Sequence, residues 1–330
     1  MTSPLITLEE HFLAATFTDD PSGDDKYTEQ LKHIPGLSEK LTDLDNIRIH
    51  HMDAGHVSFQ VISHCPGAKT VAQCRAANDQ LAHAIEKHPE RFAGFAALDV
   101  SVPAAAAAEL RRCVTELGFR GTLVDSHTPE GAYFDGPAYD VLWEAAQQLD
   151  VPIYIHPTWA TDEQIQLLYA GETIPQAATT SMSSSGFGWH ADVATHFLRL
   201  FAAGVFDRFP KLKIILGHFG ETLPFMVERV GALSKRWGTY TRDFRQVWRE
   251  NVWVTTSGVW GLAPMACLLR NTSVRRILYS VDYPFAKNED GLTWWGELVD
   301  SGLLSEDALE LVAHGNAEEL LGVKATHRYD

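Results

Sequence analysis

The feature that most constrains the fold is the regular alternation of short apolar runs with longer amphipathic stretches along almost the whole chain. The apolar runs are rich in β-branched residues, which is typical of buried strands. They predict strands at 4–8, 57–63, 92–98, 121–125, 151–156, 213–217, 252–256 and 277–281. The stretches between them predict helices at 68–88, 104–117, 137–149, 191–208, 221–236, 259–270 and 305–320.

Strands that alternate with helices along a chain form parallel sheets with right-handed crossovers. Eight such units predict a single α/β domain with the closed (β/α)8 architecture of a TIM-type barrel. An open doubly wound sheet is the alternative. No glycine-rich dinucleotide turn follows the first predicted strand, which counts against a nucleotide-binding open sheet.

Two segments exceed what a barrel needs: 12–46 after strand one and 157–189 after strand five. Both follow the C-terminal ends of strands, the face on which barrel enzymes build their active sites. We therefore expect them to act as lids or subunit contacts, with connective surface loops as the alternative. The tail 322–330 is expected to be poorly ordered or bound by another subunit.

Charge and composition limit the possible partners. The net charge of −16 argues against nucleic acid and against an anionic membrane surface, because both attract clustered positive charge. No secretory signal opens the chain, and no apolar stretch approaches the roughly 20 residues of a membrane span. The four cysteines form no CxxC pair, which fits a reducing compartment. These properties favour a cytoplasmic protein that acts on small molecules.

Four potential metal ligands come at the ends of predicted strands: Glu9 and His11 at strand one, His156 at strand five and Asp282 at strand eight. Side chains two apart on a strand share a face, so Glu9 and His11 both point into the barrel mouth while Glu10 points outward. Singly, each has an ordinary structural explanation. Together on one rim, two imidazoles and two carboxylates predict a site for one divalent ion, Zn²⁺, Mn²⁺ or Mg²⁺.

A second pair, His218 and Glu221, follows strand six. A hydrogen bond at this spacing would fix the tautomer of the ring and raise its basicity, as in a general acid/base or substrate-polarising group. The alternative is a structural histidine beside a glutamate that the helix dipole favours. Ten of the fifteen histidines, His190 among them, fall in loops or on helices and are treated as background.

Taken in order, these motifs resemble the amidohydrolase superfamily, in its branch of metal-dependent, non-oxidative hydroxybenzoate decarboxylases of the γ-resorcylate, 2,3-dihydroxybenzoate and salicylate type. The resemblance spans nearly the whole chain and is carried by Leu8-Glu9-Glu10-His11, Met52-Asp53-Ala54-Gly55, Pro89-Glu90-Arg91-Phe92, Tyr154-Ile155-His156-Pro157, Gly217-His218-Phe219-Gly220-Glu221, Thr255-Thr256-Ser257-Gly258 and Ser280-Val281-Asp282-Tyr283-Pro284.

The resemblance implies a reaction and a role for each site residue. The reaction is reversible decarboxylation of an ortho-hydroxy aromatic acid, with one divalent metal ion and no organic cofactor. Glu9, His11, His156 and Asp282 match the metal ligands of the family, with Asp282 as the proton donor, and His218 with Glu221 matches its acid/base pair. The metal-dependent hydrolysis of a lactone, amide or imine, with His218 as base, is the alternative. A barrel that binds an acidic metabolite without turnover is a third possibility.

The resemblance also implies a homodimer or homotetramer, in which Arg229 helps bind the substrate carboxylate, in some members across a dimer interface. Without the family, Arg229 reads as a solvated helix residue. The segments 12–46 and 157–189 do not align securely with the family, so the ring substituents of the substrate stay open. Candidates for the pocket wall are Phe12, Trp189, His190 and Phe285.

Overall fold

The computed structural model describes residues 3–18, 36–67 and 69–329, and its centre is a set of parallel strands. Hydrogen-bonded neighbours follow chain order as β1-β2-β3 and as β4-β5-β6-β7-β8. Single bridges, Glu10 to Tyr283 and Ala96 to Thr122, link the two groups on both sides. This order confirms the (β/α)8 barrel and excludes an open doubly wound sheet. The strands are β1 Leu5–Phe12, β2 Val57–His64, β3 Phe92–Gly94, β4 Thr122–Asp125, β5 Pro152–His156, β6 Lys213–Leu216, β7 Val252–Thr255 and β8 Ile277–Leu278.

Helices surround the strands, and their ends follow local sequence signals. The Thr70 hydroxyl and the Gln73 side chain form a capping box at the start of α4, and Pro103 opens α5. The α-helices are α1 Ala15–Thr18, α2 Leu37–Thr42, α3 Asn46–Ala54, α4 Val71–Lys87, α5 Pro103–Thr115, α6 Asp140–Leu149, α7 Asp162–Leu168, α8 Gln176–Ser183, α9 Gly188–Ala202, α10 Val205–Arg208, α11 Leu223–Leu233, α12 Phe244–Asn251, α13 Leu262–Asn271, α14 Asn288–Asp300, α15 Glu306–Glu310 and α16 Asn316–Leu321.

Several predicted boundaries were wrong. The stretch 191–208 is two helices, because Gly204 between them adopts a left-handed backbone with φ of 70°. The stretch 305–320 contains a π-helical turn, Leu311–Gly315, between α15 and α16. Three further helices, α3, α12 and α14, lie between predicted elements and were not predicted.

Two large apolar clusters make up most of the core in the described ranges, beside a small one of Leu37, Leu41 and Cys65. The larger lies between strands and helices, and the smaller fills the barrel with side chains such as Ile6, Leu8 and Phe59. The C-terminal tail joins the smaller cluster through Val323 and Ala325. The Tyr329 hydroxyl hydrogen-bonds Val57 O at 3.0 Å, at the start of β2. The tail therefore packs against its own chain at the N-terminal end of the barrel, and the expectation of poor order was wrong.

Both insertions contribute structure on the opposite face. The first contains α1 and α2, and its residues 19–35 lie outside the described part of the chain. The second contains α7 and α8 and leads directly into α9. None of the helices in the described ranges combines the length and the apolar character needed to cross a lipid bilayer.

Candidate metal centre

The four predicted ligands converge at the C-terminal mouth of the barrel. Glu9 and His11 lie on β1, and His156 is the last residue of β5. Asp282 follows β8 in a left-handed conformation with φ of 76°. One ligand atom from each of the four residues lies within 4.8 Å of the others. His11 Nε2 is 3.2 Å from Asp282 Oδ1, and His156 Nε2 is 3.2 Å from Glu9 Oε1.

The donor set fits a small divalent cation. Glu9 Oε1, His11 Nε2 and Asp282 Oδ1 are buried and lack a hydrogen-bond partner among the residues that the structure describes. Buried polar atoms are rarely left unpaired unless something else satisfies them. Nitrogen and oxygen ligands bound at about 2.1 Å in a tetrahedral arrangement lie about 3.4 Å from one another. The observed separations of 3.2 Å are close to that spacing.

Neighbouring groups orient these ligands. His156 Nδ1 donates to Pro157 O at 2.7 Å, which leaves Nε2 with a lone pair for a metal. The second oxygen of Glu9 accepts hydrogen bonds from the hydroxyls of Tyr154 and Ser257. Burial alone would raise the pKa of Glu9, but the imidazoles of His218 and His156 lower it below its ordinary value. Glu9 is therefore held as a carboxylate, the form in which it could bind a cation.

A register shift in β1 brings Glu9 into the mouth. Ile6 and Leu8 pack in the barrel interior, so strict alternation would send Glu9 outward. The pairing of β1 with β2 shifts register between Thr7 and Glu10, which resets the alternation. The expectation that Glu9 and His11 share a face is met through this irregularity.

Glu10 points away from the ligands but is fully buried. Its carboxylate accepts the backbone N–H groups of Val281 and Tyr283 at 3.2 Å each, and the Ser280 hydroxyl at 3.1 Å. Glu10 thus anchors the segment that carries Asp282. Strand alternation predicts only that Glu10 points outward, and this contact could not be predicted because the partner segment is about 270 residues away in the sequence.

His218 and Glu221 form the predicted pair. His218 Nδ1 donates to Glu221 Oε1 at 2.6 Å, while Nε2 lies 3.5 Å from Glu9 Oε1 and 3.9 Å from Asp282 Oδ2. Burial would lower the pKa of His218, but the carboxylates of Glu9 and Glu221 raise it well above its usual value. The pair can therefore hold a proton within reach of the ligand cluster.

The turn after β6 aims this pair. His218, Phe219, Glu221 and Thr222 all have positive φ, between 46° and 68°, which is uncommon for residues other than glycine. Phe219 N donates to Thr255 O at 2.9 Å and ties the turn to the end of β7. Backbone strain of this kind is characteristic of functional sites.

The pocket candidates take different positions. The Phe285 ring lies 5.5 Å from the His11 ring, and Trp189 packs edge-on against Trp159 at 4.9 Å. Phe12 is buried in the layer between strands and helices. Arg229 is exposed on α11 and makes no ion pair with any residue in the described ranges. His190, treated as background, donates from Nδ1 to Glu221 Oε2 at 2.6 Å.

Comparisons with known proteins agree with the fold. A family profile described as amidohydrolase matches residues 51–323. The decarboxylase orsB of Emericella nidulans is 51% identical over 330 residues, 98% of each chain. The γ-resorcylate decarboxylase of Rhodococcus jostii is 33% identical over 342 residues, with 96% of this chain and 97% of that protein covered.

A solved structure adds a bound metal. The dihydroxybenzoic acid decarboxylase of Polaromonas, determined with manganese and the inhibitor 2-nitroresorcinol, superposes with a TM-score of 0.84 and 31% identity over 97% of each chain. These findings confirm the family that the motifs indicate. The chain belongs to the amidohydrolase family, and the relatives described above are decarboxylases.

Proposed function

We propose that this chain catalyses the metal-dependent, non-oxidative and reversible decarboxylation of a benzoate that carries a hydroxyl group ortho to the carboxylate. The observation that carries the proposal is the cluster of four ligands within 4.8 Å, with the His218 ring 3.9 Å from the free oxygen of Asp282. Its decarboxylase relatives support the reaction type. The inhibitor of the Polaromonas enzyme, 2-nitroresorcinol, has a nitro group between two hydroxyl groups. The carboxylate of 2,6-dihydroxybenzoate occupies the same position on its ring.

Glu9, His11, His156 and Asp282 would hold the ion, for which manganese is our first choice and zinc or magnesium the alternatives. When bound, the ion supplies a Lewis acid and template for the substrate carboxylate and the adjacent phenolate.

The proton would come from Asp282. Its Oδ1 faces His11, so Oδ2 is the oxygen that is free to carry a proton toward the substrate ring. Protonation of the ring carbon that bears the carboxylate interrupts aromaticity. The bond to the carboxylate then breaks, its electron pair returns to the ring and CO₂ leaves. His218, oriented by Glu221, would hydrogen-bond the substrate and pass a proton back to Asp282.

Other residues would shape the pocket. Phe285 and Trp189 are our candidates for contacts with the aromatic ring, since Phe285 lies beside His11 and Trp189 precedes His190. Arg229 would bind the substrate carboxylate from a neighbouring subunit of a homodimer or homotetramer, because it is exposed in the single chain. The four free cysteines support a cytoplasmic location.

The test is a substrate screen on metal-stripped protein with Mn²⁺, Zn²⁺ or Mg²⁺ added back separately. We expect CO₂ release from 2,6-dihydroxybenzoate or another ortho-hydroxybenzoate, and none from 4-hydroxybenzoate, which cannot chelate through an ortho oxygen. In D₂O the product should carry one deuterium at the carbon that lost the carboxylate. Hydrolysis of a lactone or amide without any CO₂ release would instead establish the hydrolase alternative.

A further inference from the structure

A second histidine contacts the acid/base pair. The Glu221 carboxylate is fully buried, and both of its oxygens accept a hydrogen bond at 2.6 Å, one from His218 Nδ1 and the other from His190 Nδ1. The two imidazole rings also meet edge to face, with their centroids 4.8 Å apart. Glu221 therefore lies between two histidines, and the reaction outlined above uses only one of them.

Hydrogen bonding places both ring nitrogens of His190 against acceptors. Its Nε2 is 3.1 Å from Ser185 O, which can only accept. Burial would raise the pKa of Glu221, but His218 and His190 lower it, so this carboxylate is ionised and also only accepts. His190 Nδ1 is therefore the donor to Glu221, and the ring links this buried carboxylate to the backbone at Ser185.

The location of His190 connects it to the second insertion. It is the third residue of α9, which begins where the segment 157–189 ends, and Ser185 belongs to that segment. One ring therefore joins the insertion to the carboxylate that orients His218. Because His190 and Glu221 are 31 residues apart, no local spacing in the sequence announces the contact.

We propose that His190 is a positioning residue. It holds the second oxygen of Glu221, so that the first oxygen keeps its hydrogen bond with His218 Nδ1 and the ring keeps Nε2 aimed at Asp282. The inference rests on the proposed function for its kinetic consequence, but the geometry it describes does not require turnover.

The same three side chains could in principle hold a second metal, since their ligand atoms lie within 4.8 Å of one another. Those atoms are the ones that already pair with each other in hydrogen bonds of 2.6 Å. We therefore favour positioning, and metal content becomes one of the tests.

The kinetic test uses His190→Phe, which keeps a ring but removes both donors, and His190→Asn, whose amide can still donate to Glu221. We expect His190→Phe to lower kcat by about 10- to 100-fold, the usual cost of removing an orienting partner. KM should change by less than about threefold, and His190→Asn should recover most of kcat. The matched control is His83→Phe on the exposed surface of α4, where His83 lies 3.7 Å from Glu86, and it should behave like wild type.

A double-mutant cycle tests whether His190 acts through Glu221. In a Glu221→Gln background, His190→Phe should lower kcat by less than about threefold further, because the carboxylate that His190 positions is already lost. Independent, multiplicative losses would overturn the proposal, as would unchanged kcat in His190→Phe.

Nitrogen-15 NMR of histidine-labelled protein, loaded with Zn²⁺ and free of substrate, provides a readout that needs no activity. We expect a hydrogen-bonded Nδ1–H on both His190 and His218 in the wild type, and a weakened or lost Nδ1–H hydrogen bond of His218 in His190→Phe. A His190 Nδ1 that carries no proton, or a second metal equivalent that disappears in His190→Phe, would overturn the proposal. If no hydroxybenzoate is decarboxylated but the NMR result holds, the proposed function fails and the positioning role stands.

Discussion

Asp282 uses its two carboxylate oxygens differently. Oδ1 is 3.2 Å from His11 Nε2, and Oδ2 is 3.9 Å from His218 Nε2. One oxygen therefore belongs to the ligand cluster and the other faces the acid/base pair. The left-handed backbone at this residue, with φ of 76°, is held by hydrogen bonds from its neighbours Val281 and Tyr283 to Glu10.

We expect Asp282→Asn to lower kcat by about 10²- to 10⁴-fold, the usual contribution of a positioned acid or base, because an amide cannot deliver the proton. The measurement is the rate of CO₂ release, with bound metal quantified for each variant. Asp125→Asn is a matched control, since Asp125 ends β4 on the same rim and pairs with Lys69 at 3.8 Å. Near-normal turnover by metal-loaded Asp282→Asn would remove Asp282 as the donor.

At the level of elements, the turn after β6 decides where the acid/base pair lies. Gly217 links the strand to this turn, and a Cβ atom there would lie 2.9 Å from Tyr154 Oη and 3.1 Å from Glu9 Oε2. Only glycine allows the strand end to approach the groups that orient Glu9 so closely.

We expect Gly217→Ala to displace Tyr154 or Glu9 and to weaken metal binding by about tenfold or more, as loss of an orienting contact usually does. The measurement is the metal retained after dialysis against a weak chelator. The control is Gly296→Ala in α14, where an added Cβ meets nothing within 4 Å. Alanine there should stabilise the helix by up to about 1 kcal/mol. Wild-type metal retention by Gly217→Ala would contradict this account.

For the whole molecule, the ligands come from both ends of the chain, so metal binding should stabilise the entire barrel. A metal that binds only the folded state at 100 times its Kd adds about 2.7 kcal/mol to the free energy of unfolding. We expect Mn²⁺ to raise the Tm of the metal-stripped protein in a concentration-dependent way. In His11→Ala the same additions should leave Tm nearly unchanged, and an equal shift in that variant would place the binding elsewhere.

The buried His196 on α9 makes the fold sensitive to acid. Burial lowers its pKa from 6.5 to about 3, so the folded state keeps the ring neutral while the unfolded chain takes up a proton below pH 6.5. Proton uptake by the unfolded chain therefore lowers the free energy of unfolding as the pH falls from 6.5 toward 3, and has little effect above pH 6.5. Between pH 7 and pH 5 this residue should lower the free energy of unfolding by about 2 kcal/mol. Urea unfolding of wild type and His196→Gln at both pH values measures this change. The change in the free energy of unfolding between pH 7 and pH 5 should be about 2 kcal/mol smaller in His196→Gln, and equal changes in the two proteins would contradict the assignment.

Sequence alone predicts the repeated strand–helix units and the strand ends that carry the candidate ligands. Both depend on local periodicity, because an apolar run indicates the length of a strand, and a polar residue that follows it indicates the rim of the barrel. The pairing of His218 with Glu221 was also local, since the residues are three apart. The short spacing was enough to predict their hydrogen bond.

Contacts between side chains that are distant in the sequence depend on how the chain folds. The contacts of Glu9 with Tyr154, of Glu10 with the segment around Asp282, and of Glu221 with His190 each depend on barrel register or on the path of an insertion. The shift in β1 that turns Glu9 inward likewise comes from pairing with β2. Periodicity in a sequence specifies the face and end of each element, whereas packing between elements fixes the partners. The sequence could therefore name the ligands, but the groups that orient them became visible only in the folded barrel.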